Sequence, residues 1–71
     1  MIFEGQYLNG ERNGEGKEYF YRKLRFEGEY LNGKRNGKGK EYDQYGKLEF
    51  EGQYLNGWRN GKGKEYYDNG K

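Results

Sequence analysis

The tripeptide Phe-Glu-Gly occurs three times, at Phe3, Phe26 and Phe50, at intervals of 23 and 24 residues. Cut two residues ahead of each, the 71-residue chain divides into units 1–23, 24–47 and 48–71 with nothing left over. Self-similarity at this period means an array, in which each unit is one supersecondary piece that buries its apolar face only by stacking on a neighbour. The shared unit reads L-x-F-E-G-[QE]-Y-L-N-G-x-R-N-G-[KE]-G-K-E-Y, then a short variable stretch and Lys. Met1-Ile2 opens the first unit where the later units open on Leu, and that unit is one residue short near Arg22, where its siblings carry Gly46 and Gly70.

Each unit reads as two strands. In Leu24-Arg25-Phe26-Glu27-Gly28-Glu29-Tyr30 the apolar residues fall on alternate positions, the period of a half-buried strand. Leu24, Phe26 and Tyr30 then share one face, and Arg25, Glu27 and Glu29 the other. Asn32-Gly33 and Asn36-Gly37 follow, dipeptides that accept the positive φ of tight turns, and Asp68-Asn69-Gly70 reads as a further turn between units. A glycine every few residues and no alanine argue against helix. The expectation is all-β: three stacked hairpins in an elongated, single-layer antiparallel meander of six strands. They are placed at about 2–8, 15–21, 24–31, 38–43, 48–55 and 62–67. Within that register, turns of about six residues set Tyr30 across from Gly39 and Tyr54 across from Gly63, each ring lying over a residue without a side chain. Ion pairs from Glu27 or Glu29 to second-strand lysines would line the opposite face.

Composition excludes much chemistry. Cys, His, Ser, Thr, Ala, Val and Pro are all absent, so there is no hydroxyl or thiol nucleophile of the usual kinds and no imidazole base. Disulfides and the common zinc sites are excluded with them. Fourteen Lys and Arg against twelve Asp and Glu leave +2, short of a dedicated nucleic-acid surface. No apolar run approaches the roughly 20 residues that span a bilayer, and Glu4 interrupts the start too early for a leader, which makes an intracellular, cytoplasmic chain the expectation.

Phe-Glu-Gly-Glu-Tyr-Leu-Asn-Gly-Lys-Arg-Asn-Gly-Lys-Gly at 26–39 closely resembles the MORN (membrane occupation and recognition nexus) repeat, in the variant with Glu-Tyr-Tyr-Asp-Asn-Gly-Lys linkers. The resemblance extends over all three units. It departs at Phe26 for the usual Tyr, Tyr30 for Trp and Asn36 for His. It implies one hairpin per repeat, stacked into a twisted sheet. Proteins of this kind include junctophilins, plant phosphatidylinositol phosphate kinases, a histone methyltransferase and protist cytoskeletal scaffolds, where the repeats serve binding, dimerisation or placement. A bacterial group of antitoxins is related.

Three constellations could carry chemistry. Gly33-Lys34-Arg35-Asn36-Gly37-Lys38-Gly39 looks like a phosphate loop, but the glycine gap is three, the Ser/Thr after the lysine is missing and no helix follows. Glu4, Glu27 and Glu51, with Glu18, Glu41 and Glu65, recur once per unit; like environments do not separate carboxyl pKa values, so solvated ion pairing with nearby lysines is the expectation. No catalytic residue, cofactor or metal is expected. The third is basic: Lys34, Arg35, Lys38 and Lys40 in unit two, and Arg59, Lys62 and Lys64 in unit three. The units carry net charges of 0, +2 and 0, so anionic membrane binding is possible through unit two but modest. Trp58, the single tryptophan, stands where the other units carry Glu11 and Lys34, a spread that no core position accepts. Trp58, Arg59, Lys34, Arg35, Lys38 and Lys62 are therefore the candidate partner-binding residues. The expected function is non-catalytic scaffolding with a protein partner, ahead of peripheral membrane binding and an antitoxin-like role. Self-association through uncapped terminal strands, or embedding in a longer array, is a further expectation, and nucleic acid is not an expected partner.

Overall fold

In the computed structural model, which describes residues 1–66, six strands follow one another in an antiparallel meander. They are β1 (Ile2–Leu8), β2 (Glu11–Phe20), β3 (Lys23–Leu31), β4 (Lys34–Tyr42), β5 (Leu48–Leu55) and β6 (Trp58–Glu65). The sheet is a single layer, 42 × 29 × 13 Å. The turn read at Asp68-Asn69-Gly70 lies outside the described residues.

The first strand of each unit falls where the alternation placed it. The second begins four residues earlier than expected, at Glu11, Lys34 and Trp58, because the turn has two residues and not six. Asn32-Gly33 closes it alone, with φ of 52° and 84°, as do Asn9-Gly10 and Asn56-Gly57. The second Asn-Gly serves another purpose: Gly37, at φ 99°, sits inside β4. There Gly28 pairs with Gly39 and Tyr30 with Arg35, so Glu29 alone faces three residues. Two extra residues make an enlarged, three-on-one bulge, and an even number leaves every side chain on its own face.

That register corrects the expected glycine contacts. Six glycines, Gly5, Gly16, Gly28, Gly39, Gly52 and Gly63, pair in one row across all six strands. A Cβ on Gly39 would come within 2.7 Å of the Phe26 ring and 2.9 Å of the Tyr54 ring, so Phe26 and Tyr54 cover it, not Tyr30. Tyr30 instead covers Gly16, one hairpin back. Rings then meet edge to face along the sheet: Phe3–Tyr30 at 5.0 Å, Tyr30–Phe26 at 5.7 Å, Phe26–Tyr54 at 5.2 Å and Tyr54–Phe50 at 5.8 Å. Phe26, Tyr30, Phe50 and Tyr54 are the buried core, with Phe3 packed against it. Missing side chains in the glycine row let large rings lie on the backbone, which is how one layer makes a core. Each hairpin is also tied to the one before it, Gly33 N donating to Arg12 O and Gly57 N to Arg35 O, both at 2.9 Å.

Candidate functional site

The two faces of the sheet differ in kind. On the aromatic face, each second strand returns an arginine over the phenylalanine of its own unit: Arg12 at 4.2 Å from the Phe3 ring centre, Arg35 at 4.0 Å from Phe26 and Arg59 at 4.1 Å from Phe50. Glutamates fill the same row between the phenylalanines, since Glu18 pairs with Phe26 and Glu41 with Phe50. Glu18 accepts Nε of Arg35 at 3.1 Å, Nη2 at 3.0 Å and the hydroxyl of Tyr30. Glu41 accepts Nε and Nη2 of Arg59, both at 3.0 Å, and the hydroxyl of Tyr54. In each case carboxylate and donors come from adjacent units.

Burial pushes the Glu18 carboxyl up, but hydrogen bonds from Arg35 and Tyr30 with the charges of Arg35 and Arg12 outweigh it, leaving the group below its ordinary value. Glu41 is lowered the same way by Arg59 and Tyr54. Burial and the facing carboxylates raise Tyr30 and Tyr54. The reading of these glutamates as solvated partners of lysine is therefore corrected. Glu18 is buried, at 6% exposure, and both glutamates are held by arginine and tyrosine. The arginines missed as structural parts had one visible signal: Arg12, Arg35 and Arg59 recur in every unit while the residue before each changes from Glu to Lys to Trp.

The opposite face is charged. Glu4, Lys17, Glu27, Lys40, Glu51 and Lys64 pair in sequence across the six strands, so charge alternates along the whole row. Tyr19, Tyr42 and Tyr66 hydroxyls donate to Glu4, Glu27 and Glu51 at 3.2, 2.5 and 3.2 Å. A shallow groove lined by Glu4, Glu15, Lys17 and Glu27 runs along the backs of the glycines. At the turn end of this face stands a rim of exposed leucines, Leu8 at 57%, Leu31 and Leu55 at 49%. Each is paired across its hairpin, Leu8 with Glu11, Leu31 with Lys34 and Leu55 with Trp58.

The structure separates the six residues singled out from the sequence. Trp58 opens β6 and is 77% exposed beside Leu55 on the charged face. Lys34, Lys38 and Lys62 are exposed residues of strands β4 and β6, on the face that alternation gives to Trp58. Arg35 and Arg59 lie on the other face, held by Glu18 and Glu41. Among the described residues no cluster of three or more His, Cys, Asp or Glu side chains is arranged to hold a metal ion, and no helix is long and apolar enough to cross a membrane.

Two-strand units with a shared Phe, Gly, Tyr and Arg framework set the terms for comparison with known families. The MORN repeat model matches residues 3–23, 26–44 and 50–71. The chain belongs to the MORN-repeat family. MORN repeats are generally non-catalytic, and membership suggests a binding or scaffolding role. No curated protein and no solved structure matches the chain.

Proposed function

We propose that this MORN array is a non-catalytic scaffolding module that holds a protein partner on its charged face, at the rim where Trp58 stands. The observation that carries this reading is the 77% exposure of Trp58 in register with the exposed Leu55. A large ring left in water beside aliphatic neighbours, within a field of lysines, has the make-up of an interface anchor; such residues contribute about 2 kcal/mol or more when a partner buries them. Lys34, Lys38 and Lys62 on the same face favour a partner with an acidic surface around an apolar socket. Photo-crosslinking from residue 58 in the native source would identify that partner. Trp58→Lys, which restores the residue of the middle unit, should then weaken its affinity at least tenfold while stability stays within ~0.5 kcal/mol. Unchanged affinity would overturn the reading.

A membrane surface is the second reading, because tryptophan beside lysines also suits the headgroup boundary. Vesicles rich in phosphatidylserine distinguish the two. Recruitment through these lysines, each worth ~1 kcal/mol near an anionic surface, should fade steeply as salt rises, whereas the protein contact should persist.

A further inference from the structure

Each unit of this array completes its site with groups from the next. Glu18 receives Tyr30 and Arg35 from the following hairpin, and Glu41 receives Tyr54 and Arg59. Gly16 is covered by Phe3 and by Tyr30 of the next unit, and Gly39 by Phe26 and Tyr54. At the β1 edge, Tyr7 and Arg12 occupy the positions of Tyr30 and Arg35. Tyr7 is 58% exposed there, against 4% for Tyr30 and Tyr54. At the β6 edge, Gly63 is exposed, and the atoms nearest a Cβ there belong to the Phe50 ring and the Glu51 carbonyl, where Gly16 has the rings of both Phe3 and Tyr30. Glu65 stands at the position of Glu18 and Glu41, in register with Phe50 and 3.3 Å from Nη1 of Arg59. One edge presents the tyrosine and arginine that the other edge's glutamate position receives inside the array.

The remaining features of the two edges match in the same sense. The charged row begins with Glu4 on β1 and ends with Lys64 on β6, so contact between unlike edges continues the alternation. The inter-hairpin bonds from Gly33 N to Arg12 O and from Gly57 N to Arg35 O have their counterpart in Gly10 N of another copy and Arg59 O. A symmetric pairing of two β6 strands about Gly63 would instead set Lys62 against Lys64 twice, like charges in register.

We propose that the chain associates with a second copy of itself head to tail, β1 of one copy adding to β6 of another in the register that β3 keeps on β2. Tyr7 closes over Gly63, and Tyr7 and Arg12 close on Glu65. The two surfaces differ, so the contact is heterologous and repeats from copy to copy. It uses the backbone edges of β1 and β6 with the side chains of the aromatic face, not the Trp58 side chain on the charged face.

Two variants on opposite edges test it, both at exposed side chains: Tyr7→Ala removes the ring that covers Gly63, and Glu65→Lys sets a cation against Arg12. Sedimentation velocity over a rising concentration series should show elongated, concentration-dependent species for the unaltered chain. Each variant alone should associate at least tenfold more weakly, with its far-UV circular dichroism unchanged. Mixed in equal amounts, the variants should form a one-to-one dimer that grows no further, since one intact edge of each kind remains. Backbone amides of β1 and β6 should exchange more slowly in the assembled state. Should Glu65→Lys lose its spectrum, Glu65→Gln keeps the shape and replaces it. A monomer at every concentration, either variant assembling as well as the unaltered chain, or a mixture that stays monomeric would overturn the proposal.

Discussion

Tyr30 and Tyr7 occupy the same position of successive repeats, yet one is 4% exposed and the other 58%. Their strands pair with their own hairpin partners in the same register, Tyr7 with Arg12 and Tyr30 with Arg35. What separates them is the hairpin on the far side. Tyr30 has β2 beside it, with Gly16 below its ring and Glu18 at its hydroxyl, while β1 is an outer strand among those described. The same contrast divides Gly39, which is buried, from Gly63, which is exposed. In this sheet a residue's burial is set by its neighbouring unit as much as by its own side chain, the nearest-neighbour rule of a one-dimensional array. Interior and edge copies of one motif should therefore answer the same substitution differently.

The largest difference should come from the phenylalanines. Phe26 is fully buried between Tyr30 and Tyr54 under Arg35, whereas Phe3 is only partly buried. Phe26→Ala should cost about 3–5 kcal/mol, as ring deletions in packed cores do. A chain of this length has a total stability of only about 4–10 kcal/mol, so the cooperative urea transition should nearly vanish. Phe3→Ala should cost roughly half as much. Equal losses in urea unfolding would show that the array does not distinguish interior from edge.

The carboxylates sharpen the comparison. Glu18→Gln leaves the Arg35 guanidinium short of its charge partner and should cost about 1–3 kcal/mol. Glu65→Gln, at a side chain 54% exposed, should cost a few tenths of a kcal/mol, roughly the worth of a surface pair. A pH titration of stability reads the two arginine-bound carboxylates, Glu18 and Glu41. The folded state holds the Glu18 and Glu41 carboxyls below the ordinary 4.5, so their stabilisation is complete above that pH and drains as pH falls through the lowered values. Glu18→Gln should flatten this acid limb. At the alkaline end the sign reverses. Tyr42, raised from 10.0 to about 12 by burial and by its bond to Glu27, lends stability that is full below pH 10 and is lost toward pH 12.

Much of this fold is legible in the residues because the repeat supplies its own internal comparison. Alternation in Leu24–Tyr30 locates the first strand of each unit, and Phe-Glu-Gly sets the period. The second strands begin ahead of their expected place for one physical reason. Asn32-Gly33 and Asn36-Gly37 carry the same turn chemistry, and only pairing geometry decides that the first closes the hairpin and the second forms the bulge. The same ambiguity conceals the site. While Lys34 and Arg35 are read as a loop, Arg35 looks like a free surface cation; inside β4 it reaches Phe26 and Glu18. Alternation alone could not reveal Glu18, because its partners Tyr30 and Arg35 belong to another unit, 12 and 17 residues away.

The connections between hairpins give the one expected gain in stability and the sharpest contrast. Asn9-Gly10, Asn32-Gly33 and Asn56-Gly57 place glycine at the second left-handed position, at φ of 83°, 84° and 91°. The two-residue link between β2 and β3 imposes the same left-handed backbone on Tyr21, at φ 53°, and Arg22, at φ 67°. The missing residue of the first unit is thus a turn too tight for its side chains, since left-handed backbone costs an ordinary residue roughly 1–2 kcal/mol. Middle and last hairpins are joined instead through a longer turn, where Gly46 takes φ 84° and the Asp43 Oδ1 accepts the amides of Tyr45 and Lys47 at 2.8 and 3.0 Å. Arg22→Gly should relieve the strain, part of the gain being offset because glycine frees the unfolded chain. The net expectation is stabilisation of about 0.5–1 kcal/mol, roughly 2–8 °C in Tm for a domain of this size. Gly33→Ala is the opposing control: no atom lies within 4 Å of the added Cβ, so the strain at φ 84° acts alone and Tm should fall. A drop in Tm for Arg22→Gly would mean that the arginine side chain holds the β2–β3 junction by contacts worth more than the strain in its backbone.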